Sequence, residues 1–482
     1  MMRFAAVRRI LGVLIASYSV TMLVPAGVAL LYRDGQAVHF VDSFFVTLAI
    51  GLVMWLPVRH TQQELRRREG FLIVTLYWVI LSAVSTLPFH FSPHLDFTDA
   101  FFESVSGFTT TGATTIVNVD AVPKSILYYR AQLNWLGGMG IIVLAIAVLP
   151  LLRVGGMQLF KAETPGPMKD EKLTPRIEHT ARALWAIYVG MTVVCILAFW
   201  VAGMSFFDAV CQGFATMATG GFSTHNASFA YWNSPLISAI ADVFMFLSGM
   251  NFALHYLALR RGSLRVYWAD PEAQVYIAFV AGSILLVTLT LMWTHTYSSL
   301  GAALNYGAFQ VLTVITCTGF VNANFNHWPV YLPALLMMLA IVGGSAGSTA
   351  GGMKVVRVKL AIKQSAREFR RILHPRAEIP VKLGKTVLPE RVVSAIWSFL
   401  AAYVLVYLAF MLALLGAGLD WDSAFAAVSA CFNNMGAGLG MVGNNFAHIS
   451  DAAKWICSIA MLVGRLEIFT FLVLLTPMYW RR

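Results

Sequence analysis

Ten apolar runs recur along the chain, separated by short polar breaks: residues 10–31, 38–58, 71–89, 126–150, 182–203, 235–259, 273–295, 329–356, 393–416 and 453–478. About 20 apolar residues fill a ~30 Å hydrocarbon layer as a helix, and a backbone polar group left unpaired there is too costly to tolerate. The expected fold is therefore an all-α membrane protein with ten transmembrane helices. Composition agrees, because 58% of the 482 residues are hydrophobic and only 12% charged, where soluble chains carry about 25%. No large soluble domain fits. The run from Ile10 to Leu31 follows Arg3, Arg8 and Arg9, but it exceeds a secretory h-region and lacks a convincing cleavage site, so it reads as a retained span.

The net charge of +11 would suggest nucleic acid in a soluble chain, but here its placement explains it. With the N-terminus inside, 29 of the 34 Lys and Arg fall in inward segments, eleven of them between Lys354 and Arg391. Arg33, Lys124, Arg130 and Lys454 fall outward, and Arg465 lies within a span. Such asymmetry puts both termini in the cytoplasm. Trp55, Trp78, Trp200, Trp268, Trp328, Trp455 and Trp480 lie near proposed span ends, as interfacial rings do. Five scattered cysteines imply neither a disulfide framework nor a zinc ribbon.

The outward segments after the third, fifth, seventh and ninth spans align without a gap: DAFFESVSGFTTTGAT from Asp99, DAVCQGFATMATGGFS from Asp208, YGAFQVLTVITCTGFV from Tyr306 and SAFAAVSACFNNMGAG from Ser423. With Gly112, Gly221, Gly319 and Gly436 in register, a small residue stands twelve positions earlier (Ala100, Ala209, Gly307, Ala424), and a bulky apolar one four earlier (Phe108, Met217, Ile315, Phe432). This is an internal fourfold repeat of span, re-entrant segment and span. Each unit crosses twice, so successive units share one orientation and can surround one axis along the membrane normal. The expected organisation is a two-helix hairpin at 1–70, pore repeats at 71–153, 182–260, 273–360 and 392–482, and a basic cytoplasmic segment at 361–391.

Irregular backbone at membrane depth survives only where it is buried or lines water, so four such stretches around one axis imply a pore. Each apolar half-helix would aim its C-terminal end, with roughly half a negative charge, at a cation. The following stretches (T-T-T-G, T-G-G-F, C-T-G-F, N-M-G-A) are read as extended. Their glycines permit the backbone angles that turn carbonyls toward an ion and replace its water shell. No ring of carboxylates stands at that level, which points to K+ as the bound substrate.

These segments, with NHWP after TCTGF and the final GRLEIFTFLVLLTP, resemble the Trk/Ktr/HKT superfamily of cation transporters, specifically its bacterial TrkH type, along the whole chain. The resemblance implies that Thr111 and Gly112, Gly220 and Gly221, Thr318 and Gly319, and Met435 and Gly436 present carbonyls to K+. Thr110, Thr219, Cys317 and Asn434 would form the next layer inward. It also implies a homodimer with one pore per chain, residence in the bacterial inner membrane, and control by a cytoplasmic TrkA-type nucleotide-binding subunit docked on the basic segment. That segment otherwise reads as positive-inside signal and lipid headgroup contact.

The eighth span contains GGSAGSTAGG, residues 343–352, five of whose ten residues are glycine; at about 1 kcal/mol per glycine relative to alanine, a helix should break there. By resemblance, Gly343, Gly344, Gly347, Gly351 and Gly352 belong to a mobile intramembrane loop that obstructs the path, with Lys354 at its inner end. Arg465 is too deep in the last span to snorkel, and an arginine at that depth faces water or a partner. The resemblance makes it an electrostatic gate beneath the filter.

Other patterns carry less. Residues 343–347 spell G-x-S-x-G, but a nucleophile elbow needs a strand before it, and YLPALLMMLAIV is a membrane helix. Gly438, Gly440 and Gly443 match G-x-G-x-x-G without a βαβ frame. His90, His94 and Asp96 are too few ligands on a Pro-containing loop for a metal site. The chain is thus expected to be no enzyme. The remaining rival lies within transport: coupled K+ symport with H+ or Na+, for which Asp242 and Glu467 are the carboxylates nearest mid-span.

Overall fold

A helix pairs its backbone groups within one segment, as a lipid-facing run requires, and the apolar runs do become helices. The computed structural model describes residues 4–61, 67–92, 95–140, 177–329, 331–384, 386–466 and 468–481. Among them the only strands are a short antiparallel pair, Lys382–Leu383 with Thr386–Val387. The continuation of the fourth expected span to residue 150 lies outside the described residues, as do Arg3, Arg66, His94, Arg153, Lys161, Lys169, Lys172, Arg176, Lys385, Glu467 and Arg482.

Among the described residues, six helical stretches are long and apolar enough to cross a bilayer without a sharp bend: Phe4–Tyr32, Ala37–Val58, Arg68–Phe91, Arg182–Val201, Pro271–Trp293 and Val392–Gly416. The last four are the incoming spans of the four repeats. The outgoing spans are different. The expected run 235–259 is two helices, Pro235–Ser248 and Phe252–Arg261, bent by 96°, and the run 453–478 is Asp451–Arg465 and Ile468–Leu475, bent by 109°. The run 329–356 is helical only over Tyr331–Val342 before the glycine-rich stretch. Hydropathy does not register these breaks because the residues on both sides are apolar. The cause is local: at the 96° bend the Asn251 side chain accepts from Ala253 N at 2.9 Å and starts a new helix.

The first two spans lie side by side at a close approach. A Cβ on Gly12 would sit 2.7 Å from Trp55 N, and one on Gly51 2.6 Å from Ala16 N, the small-residue contact that lets membrane helices touch through their backbones. Their hairpin is fastened to the first repeat by Tyr18, whose hydroxyl meets Ser85 Oγ at 2.6 Å, and by Gln132 Nε2, which donates to Thr21 O at 2.8 Å. Trp78 is not the interfacial ring that its sequence position suggests. It is fully buried, edge-on to Phe108 with ring centroids 5.1 Å apart. Trp328 is likewise buried, its indole N–H donating to Tyr297 Oη at 3.3 Å, whereas Trp200, Trp268, Trp455 and Trp480 are exposed.

The basic segment folds. The helix Val355–Leu373 turns Val356 and Leu360 onto Val381, Leu383, Leu388, Val393 and Ile396 in a small apolar core of their own. Arg367 clasps Glu390 with two bonds of 2.8 and 2.6 Å and holds that carboxyl below its usual range. Lys359 Nζ donates to Pro271 O at 3.0 Å, tying this unit to the foot of the third incoming span.

Overpacking a tight helix contact costs ~1–3 kcal/mol. Gly51→Val should therefore lower the thermal unfolding midpoint of the detergent-purified protein, whereas Gly27→Ala, with nothing within 4 Å of the added carbon, should leave it unchanged or slightly higher.

Candidate functional site

Each re-entrant half-helix begins at a side-chain cap. Asp96, Ser205, Ser299 and Asp420 accept from the N–H of Asp99, Asp208, Ala302 and Ser423, satisfying donors that a helix start leaves free. Asp96, considered above as a metal ligand beside His90, is thus a helix cap. His90 packs edge-on to Phe97, and no group of three or more His, Cys, Asp or Glu is placed to hold a metal among the described residues.

The four half-helices, Phe97–Phe108, Phe206–Ala218, Leu300–Ile315 and Trp421–Phe432, also end alike. Thr110, Thr219, Cys317 and Asn434 take left-handed conformations, with φ of 55°, 51°, 55° and 54°. The next N–H then folds back five residues: Thr111 N to Ser106 O, Gly220 N to Ala215 O, Thr318 N to Thr313 O and Met435 N to Ala430 O, all at 2.7–2.8 Å. This Schellman-type turn normally recruits glycine at the left-handed position. Here Thr, Thr, Cys and Asn occupy it, a strain of ~1–3 kcal/mol each that the surroundings must impose.

Gly112, Gly221, Gly319 and Gly436 follow, again at positive φ (79°, 76°, 84° and 80°). A Cβ on Gly112 would collide with Gly220 O, on Gly221 with Thr318 O, on Gly319 with Met435 O, and on Gly436 with Thr111 O. The contacts run from the first segment to the second, third and fourth and back to the first. The eight residues singled out by sequence are thereby brought into one closed ring, and only glycine fits at each junction. All four glycines line a single outer cavity of about 670 Å³. The described residues lining it include Arg130, His225 and several Asn, and no Asp or Glu.

Beneath the ring lies the glycine-rich stretch. Residues 343–354 are irregular, and Gly343, Gly347, Gly352 and Lys354 all have positive φ. Phe252 N donates to Gly347 O at 3.1 Å, Ser345 N to Gly249 O at 2.9 Å, and Ala346 N to the buried Glu272 carboxylate at 2.6 Å. Thr349 Oγ1 donates to Met217 O and Ser248 O, both at 3.3 Å. A Cβ on Gly351 would overlap Asn433 O and come within 3.3 Å of Cys317 Cβ. One stretch therefore abuts the bases of the second, third and fourth filter segments. Ser345 lies in this loop behind a helix, so the G-x-S-x-G match has no elbow.

Arg465 is not within a continuous span. It ends the helix Asp451–Arg465 at the 109° bend, and its guanidinium donates to Thr349 O at 3.0 Å and Gly137 O at 3.3 Å, above the Trp78 ring. It thus ties the loop to the first repeat. Gly438, Gly440 and Gly443 form the turn beside the fourth filter segment, Gly443 lining the outer cavity.

Sequence reasoning missed the groups behind the ring. Arg130 and Lys454, read as outward loop charges, are buried in ion pairs, Arg130 with Glu103 at 3.1 Å and Lys454 with Asp99 at 2.6 Å. Charge counting cannot separate a solvated loop from a re-entrant segment, but the aligned repeats held a clue, since Glu103, Gln212 and Gln310 all stand nine positions before their glycine.

A family model described as TrkH, a cation transport protein, matches residues 36–482. The Trk system potassium uptake protein TrkH of Escherichia coli (strain K12) is 52% identical over 482 residues, covering all of both chains. Its namesake in Halomonas elongata is 47% identical over 483 residues, again across both full lengths. The crystal structure of the potassium transporter TrkH from Vibrio parahaemolyticus matches with a TM-score of 0.91 at 48% identity, covering all of both chains.

Cys317 is buried with the loop directly against it, and thiol chemistry needs access. In a protein whose other cysteines are replaced, a small cationic thiol reagent added from the loop side should label Cys317 slowly. Deleting residues 345–350 should speed labelling markedly; an equal rate would place the barrier elsewhere.

Proposed function

The chain belongs to the TrkH family of cation transport proteins, and from that premise we propose that it takes up K+ across a bacterial inner membrane through the glycine ring. Its activity is transport, not catalysis. The observation that carries the reading is the cyclic contact of Gly112, Gly221, Gly319 and Gly436 with the carbonyls of Gly220, Thr318, Met435 and Thr111. Four peptide oxygens held in a ring by backbone contact replace the water shell of a cation that has lost it, without the fixed charge that would hold a divalent ion. Four half-helix C-termini ending at the same level add a field favouring positive charge.

In this reading the repeats 71–153, 182–260, 273–360 and 392–482 build one pore, and the hairpin 1–70 buttresses it. The loop 343–352 is the gate, closed as described, and it opens by moving out from under the second, third and fourth segments. Arg465 reinforces closure by placing a cation beneath the ring and by bonding the loop at Thr349. Both termini are cytoplasmic. In support, Arg68 and Arg481 lie at one level, where Arg68 Nη1 donates to Arg481 O at 2.8 Å and Tyr479 Oη to Arg68 O at 2.6 Å. The folded basic segment, fixed to Pro271 by Lys359 one residue from Glu272, offers a route by which a docked TrkA-type subunit would pull on the loop through the Glu272–Ala346 bond. The working unit is a homodimer of such pores.

Uptake of labelled Rb+ or K+ into proteoliposomes, with the wild-type chain and with Gly319→Ser, tests the filter. Serine at φ 84° is strained and its Cβ would collide with Met435 O. A penalty of ~1–3 kcal/mol at one ring position should cut uptake at least roughly fivefold or admit Na+. Unchanged uptake and unchanged Na+ exclusion by the folded variant would refute the role of the ring.

A further inference from the structure

We propose that Glu103 and Arg130 form a charged brace which fixes the filter segments of the first two repeats and so sets how well K+ is told from Na+; this rests on the filter reading above. The two side chains are 0% and 2% exposed and meet at 3.1 Å. Glu103 sits on the first half-helix. Its Oε1 accepts from Thr114 Oγ1 at 2.5 Å and from Thr115 N at 2.6 Å, just past Gly112. Arg130, on the outgoing helix Lys124–Gly138, spends its planar fork on three acceptors: Nε on Glu103, Nη2 on Thr114 Oγ1 at 3.0 Å, and Nη1 on Ser223 O at 3.4 Å in the second repeat. Its carbon Cζ stands 4.1 Å from the centroid of the Phe222 ring, next to Gly221. One guanidinium therefore joins the back of segment one, the front of segment two, and the helix between them.

The register shows what is ordinary here and what is not. Nine positions before the filter glycine, the second and third repeats carry Gln212 and Gln310. Gln212 Nε2 donates to Ser223 Oγ at 2.8 Å, and Gln310 Nε2 to Asn322 Oδ1 at 3.2 Å. A long side chain reaching from half-helix to the residues after the glycine is thus a shared device, served elsewhere by a neutral amide. The fourth repeat has Ala427 at this position and is stitched differently, by Asn434 Nδ2 donating to Thr111 Oγ1 at 3.0 Å and Met461 O at 2.9 Å. At this position in the register the first repeat alone carries a charged side chain.

The use of charge there has a physical reason. A fork with several fixed donors bridges two segments as an amide cannot, and a lone arginine beside the vestibule would repel arriving cations. Glu103 neutralises it, so the pair supplies rigidity without a field. Removing one member leaves an uncompensated buried charge and frees Thr114 and Ser223. The ring loosens there, and a ring that can shrink around a smaller ion discriminates less. Glu103 and Arg130 are accordingly positioning residues; neither touches the ion.

Reversal potentials of purified protein in planar bilayers, with K+ on one side and Na+ on the other, test this. Glu103→Gln and Arg130→Gln should each lower the K+/Na+ permeability ratio roughly tenfold, the equivalent of one charge-assisted hydrogen bond. The double variant, neutral and carrying glutamine as repeats two and three do, should recover most of the ratio. Thr114→Val, which strands no charge and serves if the single variants do not fold, should show a smaller fall. Folded variants with lowered unfolding midpoints but an unmoved ratio would make the pair merely structural and overturn the inference. A wild-type chain that itself passes K+ and Na+ equally would instead refute the proposed function, and the inference with it.

Discussion

Four stretches of backbone approach one another so closely that there is no room for a single Cβ at any of their junctions, and the arrangement of everything around them follows from that contact. A glycine at each junction is necessary but not sufficient. The preceding residue must also be turned, and it is turned by a left-handed Thr, Thr, Cys or Asn whose strain is held by the fold-back bond to the carbonyl five residues earlier. Strained positions of this kind persist only when their surroundings over-determine them. Here the surroundings are the capped half-helices that lead into the ring and the polar side chains that reach from helix to loop behind it.

The underside follows a complementary logic. No incoming span bends by more than 40°, but the second and fourth outgoing spans bend sharply, at Gly249–Asn251 and between Arg465 and Ile468, and the third breaks at the glycine-rich stretch. The freed carbonyls are then available to other groups. Gly249 O and Ser248 O receive donors from the loop, and Gly137 O receives Arg465. Irregular backbone at this depth is tolerated because it pairs with other irregular backbone. The loop is held by hydrogen bonds to several broken helices and carries little apolar surface of its own.

How much of this the sequence carried depended on whether a feature repeats. Gly112, Gly221, Gly319 and Gly436 were legible because four aligned copies remove the ambiguity of any one glycine, and the same alignment made the half-helices visible. The helix bends were not legible, since hydropathy averages over both sides of a break and is blind to Asn251 capping a new helix. Arg465 stands out in the sequence as a charge inside an apolar run, but hydropathy puts it within a continuous helix and not at the broken end that it occupies. Trp78 and Arg130 were assigned by their distance from span ends, a rule that holds for lipid-facing residues and fails for those turned toward the pore. The Glu103, Gln212 and Gln310 series was present in the aligned segments, but a polar residue on a half-helix acquires meaning only when the loop it reaches has coordinates.

The account stands or falls on where a K+-like ion rests. The most direct measurement is anomalous scattering from crystals of the protein grown in Rb+. The predicted result is a peak on the axis enclosed by the carbonyls of Thr111, Gly220, Thr318 and Met435, absent from crystals grown in Na+ alone. A ring empty of Rb+, with the ion bound elsewhere in the chain, would contradict it.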